Sequence, residues 1–215
     1  MRNEKSDCDK WQPRQKGNTA TLLRHALKGA VELGAETEMI NLYDLNYKGC
    51  ISCYACKRKD NKYVGKCAMK DELSPILEKI IQSDVLLLGS PIYCHNITGA
   101  MQSLLERLIY MNLSYDKESF CNFTGRINVG FIYTMGAPQK TMFYDAMFKS
   151  RASALSSFLR GKSEYMTSND TLLFDDYSKY AASVFDEDHK KKVYVEQFPV
   201  DCRNAFEMGK RLLAE

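Results

Sequence analysis

Four cysteines lie close together in the first third of the chain. Cys50, Cys53 and Cys56 are separated by two residues each, and Cys67 follows after ten more. This spacing resembles the ligand set of a [4Fe–4S] cluster. The long last interval and the lack of a proline after Cys67 weaken that interpretation. Four cysteines can also hold a structural zinc ion. Bare thiols in a reducing compartment are the third interpretation, and the spacing alone leaves all three open.

A second candidate site lies directly before a predicted helix, in the segment QPRQKGNT at residues 12–19. The start of a helix offers unpaired N–H groups and the positive end of the helix dipole. Together with the side chains of Arg14, Asn18 and Thr19, these groups would suit a phosphate. The alternative is an ordinary helix start, capped by Asn18 or Thr19.

Two more loops follow runs of apolar residues. In GSPIYCHNITG, residues 89–99, Pro91 sets the backbone so that the amides after it could face a flat aromatic ligand against which Tyr93 packs. In TMGAP, residues 134–138, Gly136 permits a close approach to the backbone. Each could be a plain turn by itself, and His95 alone is better explained as a hydrogen-bonded loop residue than as a catalyst.

The elements that would position these loops alternate between strand and helix. Continuous apolar runs at 85–89 and 127–134 predict strands covered on both faces, and polar–apolar alternation predicts a strand at 36–42. A shorter strand is predicted at 171–174. Helical spacing predicts further elements. They begin near residues 18, 71 or 74, 99, 143, 188 and 199, and they end near residues 34, 82, 111, 159, 195 and 213.

This alternation predicts an α/β fold, a doubly wound parallel sheet with helices on both faces. Such sheets bind ligands at the carboxyl ends of their strands. We therefore expect the three loops to meet at that edge. The chain has neither a G-x-x-x-x-G-K-[ST] nor a G-x-G-x-x-G sequence, which argues against a nucleoside triphosphatase and a dinucleotide fingerprint.

Composition narrows the class of protein further. The 215 residues suit a single domain, in which residues 1–12 are atypical and about 176–215 form a helical C-terminal extension. A net charge of +3 does not indicate nucleic acid as a partner, and the longest apolar run is too short for a bilayer. With no secretory signal in the sequence, we expect a cytoplasmic protein.

The loops together resemble the flavodoxin-like NAD(P)H-dependent FMN reductase family, near its iron–sulfur flavoprotein branch. The segments that carry this resemblance are PRQKGNT at 13–19, CISCYAC at 50–56, GSPIYCHNITG at 89–99 and DYSKY at 176–180. The resemblance implies a sheet in the order 2-1-3-4-5 and FMN as the cofactor. It also implies that Arg14, Asn18 and Thr19 hold the FMN phosphate, that Pro91, Ile92, Tyr93 and Asn96 line the isoalloxazine ring, and that Thr134 and Gly136 close its other side.

One departure from the family concerns the first strand. Relatives open with an apolar strand ending in G-S-P-R, whereas this chain has MRNEKSDCDKWQ before Pro13. That strand lies inside the family's sheet, so its loss would leave two strand edges unpaired. The reading frame could start wrongly, the N-terminal segment could fill the position poorly, or another chain could complete it.

The resemblance implies an FMN-dependent oxidoreductase that passes electrons from NAD(P)H through FMN to a small-molecule or protein acceptor, as a homodimer or homotetramer. One alternative is an electron carrier with a [4Fe–4S] cluster on Cys50, Cys53, Cys56 and Cys67. Another is a non-catalytic protein on this scaffold. Tyr177 and Tyr180 could cover the site, and the run of lysines at 190–192 is interpreted as a solvated helix face.

Overall fold

The computed structural model describes residues 17–59, 62–138 and 144–214. Six helices are described: α1 (Asn18–Glu32), α2 (Ser74–Ile80), α3 (Gly99–Asn112), α4 (Tyr144–Leu159), α5 (Glu187–Glu196) and α6 (Phe198–Ala214). The strands are β1 (Val85–Tyr93), β2 (Asn96–Ile97), β3 (Ile127–Thr134) and β4 (Arg160–Ser168). None of the helices in these ranges is long and apolar enough to cross a membrane.

The sheet confirms the predicted α/β class. Its order is β2-β1-β3-β4, with β1, β3 and β4 parallel and β2 pairing antiparallel with the end of β1. β1 and β3 are the two continuous apolar runs of the sequence, and every residue of β3 is buried. A strand that is covered on both faces can be apolar throughout.

Alternate residues of β3 face two different layers of helices, as the pleat of a strand requires. Val129, Phe131 and Tyr133 pack with residues of α2, α3 and α4. Ile132 packs instead with residues of α1 and α6. The helices therefore cover both faces, which is the doubly wound arrangement.

Helices α1 and α6 pack closely because a glycine lies at their contact. A Cβ atom on Gly209 would lie 1.9 Å from the carbonyl oxygen of Ala26. A side chain larger than hydrogen would therefore push the two backbones apart.

The prediction of a strand at 36–42 is wrong. This segment carries no strand assignment and lies with β1 along a cavity of about 2250 Å³. Within the described ranges, the edge of β1 that faces this cavity is paired only at its end, where Ile92 and Tyr93 pair with β2, and no strand lies beside Val85–Pro91 there. Backbone groups form a strand only when a neighbour accepts and donates their hydrogen bonds. The order 2-1-3 would place the family's first strand here, and residues 1–16 lie outside the described part of the chain.

The last strand of the sheet also lies elsewhere than the sequence predicts. Residues 171–174 form no strand, whereas Arg160–Ser168 pairs in parallel with β3. Its sequence, RGKSEYMTS, is mostly polar. An edge strand with partly exposed side chains tolerates such residues, so it lacks the apolar run that marks β1 and β3. The helix predicted to reach residue 82 ends earlier, at Ile80.

Candidate functional site

The described residues of the three predicted loops, from Gly17 onward in the first, meet at one cavity at the carboxyl ends of the parallel strands. This cavity, of about 2250 Å³, extends down the open edge of β1. It is far larger than a typical ligand site of about 300–1,000 Å³, because it includes the gap beside β1. Seven of the predicted cofactor residues line it: Asn18, Thr19, Pro91, Ile92, Tyr93, Thr134 and Gly136. Arg14 lies outside the described residues.

The start of α1 forms one end of the site. Its N-cap is Gly17 and no side chain caps the helix, so the predicted capping role of Asn18 or Thr19 is wrong. Asn18 is already helical, and its Nδ2 donates instead to the carbonyl of Leu172 at 2.9 Å. Among the residues that the structure describes, no side chain caps these backbone N–H groups, and free N–H groups at a helix terminus can bind an anion.

Thr19 joins this helix to the end of β3. Its Oγ1 lies 2.7 Å from Oγ1 of Thr134, and both residues are buried. Gly89 of β1 permits the close approach of α1, since a Cβ atom there would lie 2.9 Å from Cγ2 of Thr19 and 2.5 Å from Cδ1 of Leu23. The first and third loops thus have a fixed relative position.

The second loop projects an aromatic side chain. β1 and β2 are joined by Cys94 and His95, both with positive φ (48° and 65°). Positive φ at both central residues is the geometry of a two-residue hairpin turn of type I′. Tyr93 is 57% exposed at the cavity, and His95 Nδ1 lies 2.9 Å from the hydroxyl of Tyr144. His95 is therefore a hydrogen-bonded loop residue in this structure.

Asn96 is a predicted cofactor residue that the structure describes but that does not line the cavity. Its Oδ1 accepts hydrogen bonds from the backbone N–H of Ile97 at 2.9 Å and from Nη2 of Arg151 at 2.8 Å. The β1–β2 hairpin turns this side chain toward α4, which sequence spacing could not reveal.

Sequence reasoning missed a polar cluster behind the third loop. Lys190, interpreted as part of a solvated face, is only 3% exposed. Its Nζ donates to Oδ1 of Asp170 and to the carbonyl oxygen of Gly136. His189 Nε2 lies 2.5 Å from the other carboxylate oxygen of Asp170. All of these residues line the large cavity. In the sequence, only the position of Lys190 on its helix, relative to Lys191 and Lys192, could have distinguished the buried lysine from its two neighbours.

The electrostatics of this cluster favour a charged carboxylate. Burial by itself would raise the pKa of Asp170, but hydrogen bonds from Lys190 and His189 outweigh it, so the pKa of Asp170 lies below its ordinary value. An ammonium group hydrogen-bonded to a carboxylate stabilises the ionised form.

The four cysteines meet at a separate, much smaller cavity of about 20 Å³ that is also lined by Arg107. Cys53 is exposed and Cys56 is buried, and burial raises the pKa of the Cys56 thiol. Among the residues that the structure describes, no three cysteine, histidine or acidic side chains stand close enough together to hold a metal ion. The chain therefore supplies a complete set of thiol donors without forming a closed metal site.

Arg107 fixes the loop after Cys67. Its side chain is buried, with Nη1 2.6 Å from Oδ2 of Asp71, and Nη2 donates to Oγ of Ser74 at 3.1 Å. Burial alone would raise the pKa of Asp71, but the hydrogen bond and charge of Arg107 lower it. A buried pair of this kind orients both partners, and removing one would leave an uncompensated charge.

Comparison with known proteins agrees with this architecture. Residues 12–170 match the model of the NADPH-dependent FMN reductase family. An iron–sulfur flavoprotein of Methanocaldococcus jannaschii is 39% identical over 95 residues, which are 44% of this chain and 47% of that protein. One from Clostridioides difficile is 30% identical over 134 residues, 57% of each chain. The matches thus span about half the length of these curated relatives.

A solved structure extends the likeness to nearly the whole chain. The NAD(P)H:quinone oxidoreductase from Methanothermobacter marburgensis superposes with a TM-score of 0.63 over 94% of this chain and 92% of its own. Because the sequences are only 13% identical, this likeness concerns the fold.

Proposed function

The chain belongs to the NADPH-dependent FMN reductase family, and on this premise we propose that it binds FMN in the large cavity and acts as an FMN-dependent oxidoreductase. In this proposal NAD(P)H is the electron donor, and a small molecule or a protein is the acceptor. The single observation that carries the proposal is that the described residues of the three predicted loops converge on one cavity at the carboxyl ends of the strands.

The residues at this cavity suit the parts of FMN. The first turn of α1, which no described side chain caps, offers backbone N–H groups and the positive end of a dipole to the phosphate. The segment from Pro91 to Tyr93 offers its backbone and an exposed ring to the isoalloxazine. The loop at Thr134 and Gly136 approaches from the other side. The bound flavin supplies the chemistry of accepting a hydride and passing electrons on, and the protein orients it.

Titration with FMN tests this proposal. We expect the protein to quench FMN fluorescence and to retain a yellow chromophore that absorbs near roughly 450 nm, as oxidised flavins do. Tyr93→Ala should weaken FMN binding, whereas Tyr115→Ala, which removes another exposed ring that does not line the cavity, should not. A protein that unfolds cooperatively on heating but binds no FMN would favour the non-catalytic alternative.

Oxidation of the donor tests the activity. With FMN bound, we expect NADH or NADPH to reduce the flavin stoichiometrically, and to be consumed beyond that equivalent only when an acceptor such as a quinone is added or oxygen is present. Comparing the two donors at equal concentration shows which one is preferred.

A second candidate function is electron transfer through a [4Fe–4S] cluster on Cys50, Cys53, Cys56 and Cys67. The observation that favours it is that these four thiols, and no others in the described ranges, line one cavity. Four thiolates are the usual ligands of a cluster that carries single electrons. The cavity holds little more than one water molecule, so the loop at 50–67 would have to open around the cluster.

Anaerobic iron and sulfide analysis tests this second function. We expect about four of each per chain if the cluster forms, and a loss of iron in Cys53→Ser. Zinc in place of iron would indicate a structural site, and neither metal would indicate bare thiols. A Cys53→Ser variant that keeps its full iron content would exclude these ligands.

We also propose that the chain assembles as a homodimer or homotetramer. Large apolar side chains are exposed at the cysteine loop and beside it: Ile51 at 60%, Tyr54 at 51%, and Tyr115 at 66%, whose ring contacts Tyr110 as that of Tyr54 does. A contiguous exposed apolar surface commonly marks an interface. Light scattering coupled to gel filtration measures the molar mass, and a mass of 24.6 kDa, that of one chain, would contradict this proposal.

A further inference from the structure

Lys190 is the most deeply buried of three consecutive lysines. It is 3% exposed, whereas Lys191 and Lys192, on the same helix α5, are exposed. Lys191 pairs with Glu187 one turn earlier, which is the expected arrangement for a solvated helix face. Lysine is almost never fully buried unless it is paired, so the position of Lys190 needs an explanation.

The ammonium group of Lys190 connects three separate segments. It extends from α5 to the carbonyl oxygen of Gly136, in the loop after β3, and to the carboxylate of Asp170, in the segment after β4. It also lies 5.1 Å from the centre of the Phe185 ring. An ammonium group carries three N–H donors, and two of them are accounted for by these acceptors.

Asp170, the partner of Lys190, has an uncommon backbone conformation. Its φ is 55°, in the left-handed region, which a residue with a side chain adopts only at an energetic cost. The backbone around it joins the same loop, because the N–H of Asp170 donates to the carbonyl of Ala137 at 2.9 Å and the N–H of Thr171 donates to Met135 at 3.1 Å. The loop from Thr134 to Ala137 is thus held from behind by residues 170–171 and by Lys190.

These contacts lie at the large cavity, in which FMN is proposed to bind. Gly136, Asp170, His189 and Lys190 all line it, together with Thr19 and Pro91. A fixed loop matters for a bound planar ring, because a misplacement of about 1 Å can cost on the order of 100-fold in rate.

We propose that Lys190 is a positioning residue of the FMN site. It fixes the loop at Gly136, through the carbonyl of that residue and through Asp170, in the geometry that closes one side of the isoalloxazine ring. This proposal rests on the proposed binding of FMN, and it assigns to helix α5 a role in the cofactor site.

The test compares FMN dissociation constants of the purified full chain and its variants at 25 °C, by quenching of flavin fluorescence. We expect Lys190→Met to weaken FMN binding at least tenfold and to alter the visible circular dichroism of the flavin that remains bound. Lys191→Met, which removes the neighbouring exposed lysine, should bind FMN within twofold of the unchanged protein.

A second variant distinguishes a positioning role of Lys190 from a role in stability alone. The double variant Lys190→Met/Asp170→Asn removes both members of the buried pair, so it should recover much of any lost thermal stability. If Lys190 positions the loop, the double variant still binds FMN at least tenfold more weakly than the unchanged protein. If instead its affinity returns to that of the unchanged protein, or if Lys190→Met binds FMN normally, the proposal is overturned.

Failure of the proposed function gives a different result. If the unchanged protein does not bind FMN, both proposals fail. If the unchanged protein binds FMN and Lys190→Met binds it equally well, only the role of Lys190 fails.

Discussion

The hydroxyl groups of Thr19 and Thr134 lie 2.7 Å apart and both residues are buried. This contact joins the first turn of α1 to the last residue of β3, which are 115 positions apart in the chain. It therefore links the proposed phosphate end of the cavity to the loop that would close over the ring.

Removing one of these hydroxyls should destabilise the protein. In Thr19→Val or Thr134→Val, the remaining hydroxyl loses a buried partner, and we expect a loss of about 1–3 kcal/mol in the free energy of unfolding. The double variant should lose less than the sum of the two, because it leaves no unpaired hydroxyl. Urea denaturation measures all three. Thr21→Val, which removes a hydrogen bond from a hydroxyl group to the carbonyl at the start of α1, is the control. Strictly additive losses in the Thr19 and Thr134 variants would show that the two hydroxyls do not depend on each other.

A glycine substitution tests the packing of α6. Gly209→Ala places a Cβ atom 1.9 Å from the backbone oxygen of Ala26, so we expect a loss of about 1–3 kcal/mol in the free energy of unfolding. The matched change Gly99→Ala lies at the start of α3, where nothing is within 4 Å of the new atom, and should be neutral. Equal stability of the two variants would show that α1 and α6 can separate freely.

The ion pair behind the cysteines should matter more than a surface pair. Arg107→Met leaves the largely buried carboxylate of Asp71 without a cation, and we expect a loss of about 3–5 kcal/mol in the free energy of unfolding. Lys79→Met breaks the exposed pair with Glu38 and should cost at most about 1 kcal/mol. Thermal and urea unfolding measure both. A smaller loss in Arg107→Met than in Lys79→Met would contradict this assignment.

The stability of the protein should fall on acidification below a pH of about 4. The pKa values of Asp71 and Asp170 are lowered in the folded protein from the ordinary value of 3.8. Near that pH, these two carboxyls take up protons in the unfolded chain before they do so in the folded one. Their contribution is therefore complete above the unfolded pKa and is lost as the pH falls through the lower folded pKa.

Urea midpoints between pH 6 and pH 3 measure this dependence. We expect the double variant Asp71→Asn/Asp170→Asn to be less stable at pH 6 and to lose less stability on acidification than the unchanged protein. A double variant with an equally steep loss would show that other carboxyls are responsible.

Much of the fold could be predicted because its signals are local. The apolar runs at 85–89 and 127–134 are continuous, and a strand buried on both faces requires such a run. Thr98 precedes a regular helical pattern, and the structure places it as the N-cap of α3. The resemblance carried by short motifs likewise predicted which family the chain belongs to, because those motifs are contiguous in sequence.

The strand at Arg160–Ser168 and the segment at 36–42 show where local signals fail. The first pairs as a strand although its residues are mostly polar, because β3 offers it an edge. The second alternates like a strand but has no neighbour among the described residues with which to pair. Pairing is a relation between distant segments, so periodicity alone does not decide it.

The sequence by itself determined the α/β class, the two central strands and the three loops that would carry a flavin. Only the tertiary structure decided that Asn96 turns away toward Arg151 and that Lys190, one of three identical neighbours, is the buried one. The physical reason is that an apolar run identifies its own environment, whereas a polar side chain acquires its environment from whichever distant segment packs against it.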